Sequence, residues 1–186
     1  MANQDRARGC WPLYNLTGGK IPVHAYHKKG TTTGVYEGGI VVLRTADRRI
    51  GSLQTTTGSD EIVGVAANYV AAASSGKTVW VYDSPFTVFG INSDGTTNED
   101  YKDLVGTVAT GNAALSTADS AAGNTTTGLS KVELDRSACT STGTASNNIF
   151  KIIGVVDEPS NNSASSHADL EVLLIRHFYN NRSASV

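Results

Sequence analysis

The side chains in this chain that could do chemistry are four histidines, two cysteines and a scatter of serines and carboxylates. Gly76-Lys77-Thr78 has the ending of a phosphate-binding loop. That loop needs a glycine five positions before Gly76, where Ala71 stands, and a helix after the threonine, where a strand-forming run follows. Gly128-Leu129-Ser130-Lys131 opens like a nucleophile elbow, but Val132 occupies the place of the closing glycine. His24 and His27 are three apart. In an extended segment they point to opposite faces and cannot easily grip one metal. His167 and His177 stand alone and read as structural. Asp94, Glu99, Asp100 and Asp103 could hold a cation, yet Gly95 sits at the second loop position and not the sixth, so solvated carboxylates are expected. No catalytic, cofactor-binding or metal residues are expected, and an enzyme reading has no anchor.

These groups must be positioned by β-structure. Glu61–Ile91 is the densest apolar and aromatic stretch and reads as strand, crossing, strand, proline turn, strand. Within it, Val79 and Val81 alternate with Trp80 and Tyr82, and Pro85 ends a strand because it cannot donate to a ladder. Further strands are expected at Gly39–Leu43, Arg48–Leu53 (after a Thr45-Ala46-Asp47 turn), Leu104–Val108, Lys131–Asp135, Phe150–Val156 and Leu170–Phe178. Asn68–Ser74 could make one or two helical turns. No long 3.6-residue period runs anywhere. The expected fold is all-β, a small β-barrel or sandwich with an extended N-terminal arm and long polar loops. Residues 1–30 form the arm, 31–180 a single β domain and 181–186 a short C-terminal tail. Trp80, Val81 and Ile153 are the expected core residues.

Composition agrees. Hydrophobic residues make up 39% and charged residues 17%, the balance being Gly, Ser, Thr and Asn, which favours short strands and polar loops. A formal charge of −2 argues against a protein that coats nucleic acid, and Arg44, Arg48 and Arg49 are the one compact basic cluster. No run of about 18 apolar residues is present, so no membrane span is expected. The start, MANQDRARGCWPLY, lacks the apolar core of a signal peptide, so the sequons at Asn15, Asn124, Asn161 and Asn181 carry little weight. Cys10 and Cys139 have no disulfide spacing signature and are expected as free thiols.

The ordered pieces MANQDRARGCWPLYNLTGG, GIVVL, IVGVAANYVAA, KTVWVYDSPFTVFGI, GLSKVELD, KIIGVVDEPSNN and LEVLLIRH run through most of the chain. Together they resemble the auxiliary capsid proteins (decoration or cement proteins) of tailed bacteriophages, especially those of marine and cyanobacterial phages. Cys10 departs from the apolar residue expected there. The resemblance implies a non-enzymatic, cofactor-free virion protein on the outer capsid surface, made in the host cytoplasm. Its partners would be the major capsid protein and itself, as a homotrimer, with no nucleic acid and no membrane. The arm would lie across the shell, with Arg6, Arg8, Trp11, Leu13, Tyr14 and Ile21 as interface residues and Trp11 as the anchor. Such an arm is expected to be removable without unfolding the body. The alternative is a head-fibre or tail-associated module that binds a receptor or carbohydrate through exposed aromatics.

Overall fold

The computed structural model describes residues 3–30, 33–44, 49–53, 61–94, 100–109, 123–139 and 148–179. The Thr45-Ala46-Asp47 turn, Arg48, Glu99, the greater part of the Ser/Thr-rich loops and the C-terminal tail lie outside these residues. Among the described residues ten strands form two antiparallel five-stranded sheets. In chain order they are β1 (Trp11–Asn15), β2 (His24–His27), β3 (Ile40–Arg44), β4 (Arg49–Ser52) and β5 (Glu61–Ala66), then β6 (Thr78–Tyr82), β7 (Thr87–Asn92), β8 (Val108–Ala109), β9 (Phe150–Val155) and β10 (Asp169–Leu174). One sheet has the order β1-β7-β10-β9-β8 and the other β2-β6-β5-β3-β4. Of the two expected architectures the sandwich is the one formed, since neither sheet closes on itself.

The core follows side-chain alternation. Ile40, Val42, Ile62 and Val65 of one sheet meet Phe89, Ile91, Phe150, Ile152, Leu170 and Val172 of the other. Residues between them in sequence, Val41 and Val63, point to the opposite face. There they join Val79, Val81, Val35 and Val70 in a second apolar cluster. Both faces of this sheet are therefore covered, and β5 is buried along nearly its whole length. Pro85 falls where the chain leaves β6 in one sheet for β7 in the other.

Five expectations need correction. Leu104–Val108 is not a strand: Tyr101–Leu104 is a 3-10 turn, and pairing begins only at Val108. Asp100 caps that turn by accepting from the Lys102 backbone N–H, which draws the chain out of extended geometry. Lys131–Asp135 makes a single bridge, Leu134 with Ser93, and not a ladder. Asn68–Ser74 forms no helix, because Val70 is held in an antiparallel bridge with Val35. Trp80 is 49% exposed: Val79 and Val81 take the covered face, and the face given to Trp80 is open at that edge. Val81 is fully buried as expected, whereas at the Ile152-Ile153 pair Ile152 is the core residue and Ile153 only half-buried.

Candidate interaction surface

The N-terminal segment supplies an edge strand to each sheet. β1 pairs with β7, with a bulge between Pro12 and Tyr14, and β2 pairs with β6. Pro12 is tolerated because an edge strand has one side free of ladder bonds. Gly9 (φ 74) and Gly38 (φ 79) let two backbones meet, and the Cys10 N–H donates to the Gly38 carbonyl at 2.8 Å. Cys10 is thereby placed in the core, where burial pushes its thiol pKa up. Cys139 is also a free thiol, pushed up to about 11, again chiefly by burial.

The six expected interface residues separate into two sets. Arg8 and Trp11 are half-buried and engaged within the molecule. Trp11 lies against Gly90, where a Cβ would come within 2.2 Å of its ring. The Arg8 guanidinium sits 3.6 Å from the Trp11 ring centroid and 4.0 Å from the Asp169 carboxylate. Leu13 and Ile21 are half-buried, Leu13 within β1 and Ile21 in the connection to β2. Arg6 is exposed, with its Nε donating to Gln4 Oε1 and its backbone N–H to Asn92 Oδ1. Tyr14 is 42% exposed and donates its hydroxyl to Glu171 Oε2 at 2.8 Å. Beside it stand two exposed residues that sequence reasoning left out, Leu16 and Phe86, joined by a backbone bond from the Leu16 N–H to the Phe86 carbonyl. Tyr14, Leu16 and Phe86 are thus exposed apolar side chains near β1, an edge strand of the sheet among the described residues. A cleft of about 310 Å³ is lined among others by Arg8, Trp11, Glu37, Tyr82 and Leu129.

At the β2 edge a polar cluster forms around buried Asp83. His24 Nδ1 lies 2.8 and 2.9 Å from its two carboxylate oxygens, and the Tyr26 hydroxyl donates to it at 2.6 Å. The Tyr26 and Tyr179 hydroxyls are 3.1 Å apart. Burial and the Asp83 bond push the Tyr26 pKa up. His27 turns away to the Gly76 carbonyl, so the two histidines of the HxxH spacing serve different partners. Ser130 is fully buried and its hydroxyl accepts from the Val132 N–H. Gly76 takes φ 73 in the turn into β6. Asp94 accepts from the Arg136 N–H, a structural role for one of the acidic-loop residues.

His177 is nearly fully buried, and its Nδ1 accepts the Tyr179 N–H at 3.2 Å. Protonating that nitrogen would break the bond and bury a charge. Desolvation accordingly lowers its pKa from 6.5, against a weaker opposing pull from Asp83. A depressed histidine contributes stability above its unfolded pKa that is lost as pH falls through its folded value. Urea midpoints should therefore drop for wild type as pH is lowered below 6.5. They should drop less for His177→Phe, and parallel curves would refute this role.

No protein-family model matches the chain, and none of the curated proteins compared with it matches either.

Proposed function

We propose that the protein is a structural virion component that binds the outside of a tailed-phage head and stabilises the shell of major capsid protein. The observation that carries this reading is the exposure of Tyr14, Leu16 and Phe86 near β1, which is an edge strand among the described residues. An exposed apolar row on an edge strand is an aggregation hazard unless a partner covers it. The ordered resemblance to decoration proteins supports a capsid as that partner. Trp11 and Arg8 serve the fold, so the contact falls to their solvent-facing neighbours. Self-association into a homotrimer would cover the β2 edge in the same way.

The test uses purified undecorated heads. Wild-type protein should co-sediment with heads to saturation, and a Leu16→Asp/Phe86→Asp variant, folded by circular dichroism, should lose binding by at least about tenfold, as expected for contacts near an interface centre. Undiminished occupancy by that variant would reject this surface. Failure of the wild-type protein to bind heads would reject the capsid reading. The cleft beside Trp11, which combines aromatic rings with Arg8 and Glu37, favours a second reading as a carbohydrate-binding module. Saturable binding of the isolated protein to a glycan array, weakened by Tyr82→Ala, would establish it.

A further inference from the structure

We propose that Asp5, Glu133 and His167 form a site for a single divalent transition-metal ion, with zinc the ion whose ligand preferences the set matches. The three come from separate parts of the chain: the segment before β1, the 131–135 segment and the turn before β10. One ligand atom from each lies within 4.8 Å of the others. A tetrahedral zinc with bonds near 2.1 Å would set its ligands roughly 3.4 Å apart. Closing that gap asks for a small shift of side chains, and Asp5 is exposed.

Two further features point to a cation. Glu133 is only 9% exposed, and Asp5 lies within hydrogen-bonding reach of it, with the Asp94 carboxylate also close. Carboxylates brought together in a poorly solvated place need a proton or a cation between them. His167 is also prepared as a ligand. Its Nδ1 lies 3.1 Å from the Ser93 carbonyl, which can only accept, so Nδ1 carries the hydrogen and Nε2 keeps the lone pair. An imidazole whose other nitrogen is tied to a backbone carbonyl is the usual arrangement of a metal-bound histidine. An imidazole nitrogen beside carboxylates selects zinc-like ions over magnesium. The ion would tie the start of the chain to two later segments, with water filling the position the protein leaves open.

The test is calorimetric titration of the tag-free, chelator-treated full chain with zinc chloride. One ion per chain with a micromolar dissociation constant is expected, and zinc should raise the melting temperature. Asp5→Asn, Glu133→Gln and His167→Asn should each weaken binding by at least about tenfold. Asparagine is chosen at His167 because that residue holds φ 56, which asparagine tolerates. His27→Asn should leave binding unchanged. If Glu133→Gln fails to fold, exposed Asp5→Asn decides alone. No saturable binding at millimolar zinc, or binding that survives Asp5→Asn unchanged, would overturn the site and leave a shared proton between the carboxylates.

Discussion

Gly64→Val will markedly lower the urea midpoint of the fold. Gly64 sits in β5 opposite Val41, beside the register shift between Val41 and Val42. A Cβ there would come within 2.1 Å of the Tyr82 carbonyl oxygen and 3.0 Å of a Val81 methyl. The first obstacle is backbone on the neighbouring strand, so no rotamer change relieves it. β5 and β6 would have to part, and Val81 and Ala66 belong to the cluster on that face. Overpacking against backbone belongs at the upper end of the usual range, about 3 kcal/mol, a large share of the roughly 5–15 kcal/mol by which domains are stable. Gly76→Ala is the control, with nothing within 4 Å of its Cβ but φ at 73. It should cost only about 1–2 kcal/mol, the strain of the left-handed conformation. Equal shifts of the urea midpoint in the two variants would show that close approach at Gly64 is not what the fold depends on.

Deleting residues 1–15 will yield a chain that is insoluble or lacks fixed tertiary packing. The deletion removes β1 from β7, and all six residues of β7 are buried. It takes Cys10 out of the core, strips Trp11 from Gly90 and breaks the Cys10–Gly38 backbone bond. Each buried apolar side chain is worth about 1.5–3 kcal/mol, and the uncovered edge of β7 would be a template for aggregation. Near-ultraviolet circular dichroism and size-exclusion chromatography would report the loss. A monomeric truncated chain with the wild-type melting temperature would show instead that the segment is an accessory of the fold, as the sequence alone suggested.

What could be read from the sequence was what local pattern encodes. The runs IVVL, EIVGVA, TVWVY, TVFGI, FKIIGV and LEVLL are strands because β-branched and aromatic residues recur there between turn residues. β1 and β2 were illegible for the opposite reason. WPLYN contains a proline, HAYH has no apolar alternation, and both are strands only because β7 and β6 offer them a ladder. Burial at doubled positions was equally hidden: Ile152 and Ile153 are chemically alike, and the ladder with β10 decides which faces in. Trp80 was misplaced because hydrophobicity cannot say which face of a sheet is covered. The candidate surface was legible in part. Tyr14 could be named from its type, but Leu16 and Phe86 meet only through the β1–β7 pairing. The convergence of Asp5, Glu133 and His167 left no sequence spacing to find.

The position of β7 between β1 and β10 also bears on how the chain reaches this state. On the ribosome β7 emerges with β1 already made, but its other neighbour is synthesised only after β8, β9 and the loops between them. Until then one side of the most buried strand stays naked. Closing loops of that length must precede the contacts that reward it, so folding belongs to the slow, millisecond-to-second regime of non-local β-proteins. Committed structure waits until β10 has emerged. The yield of native protein is then a race between that late closure and association of unfinished sheets, which slower translation or lower expression temperature would tilt toward closure.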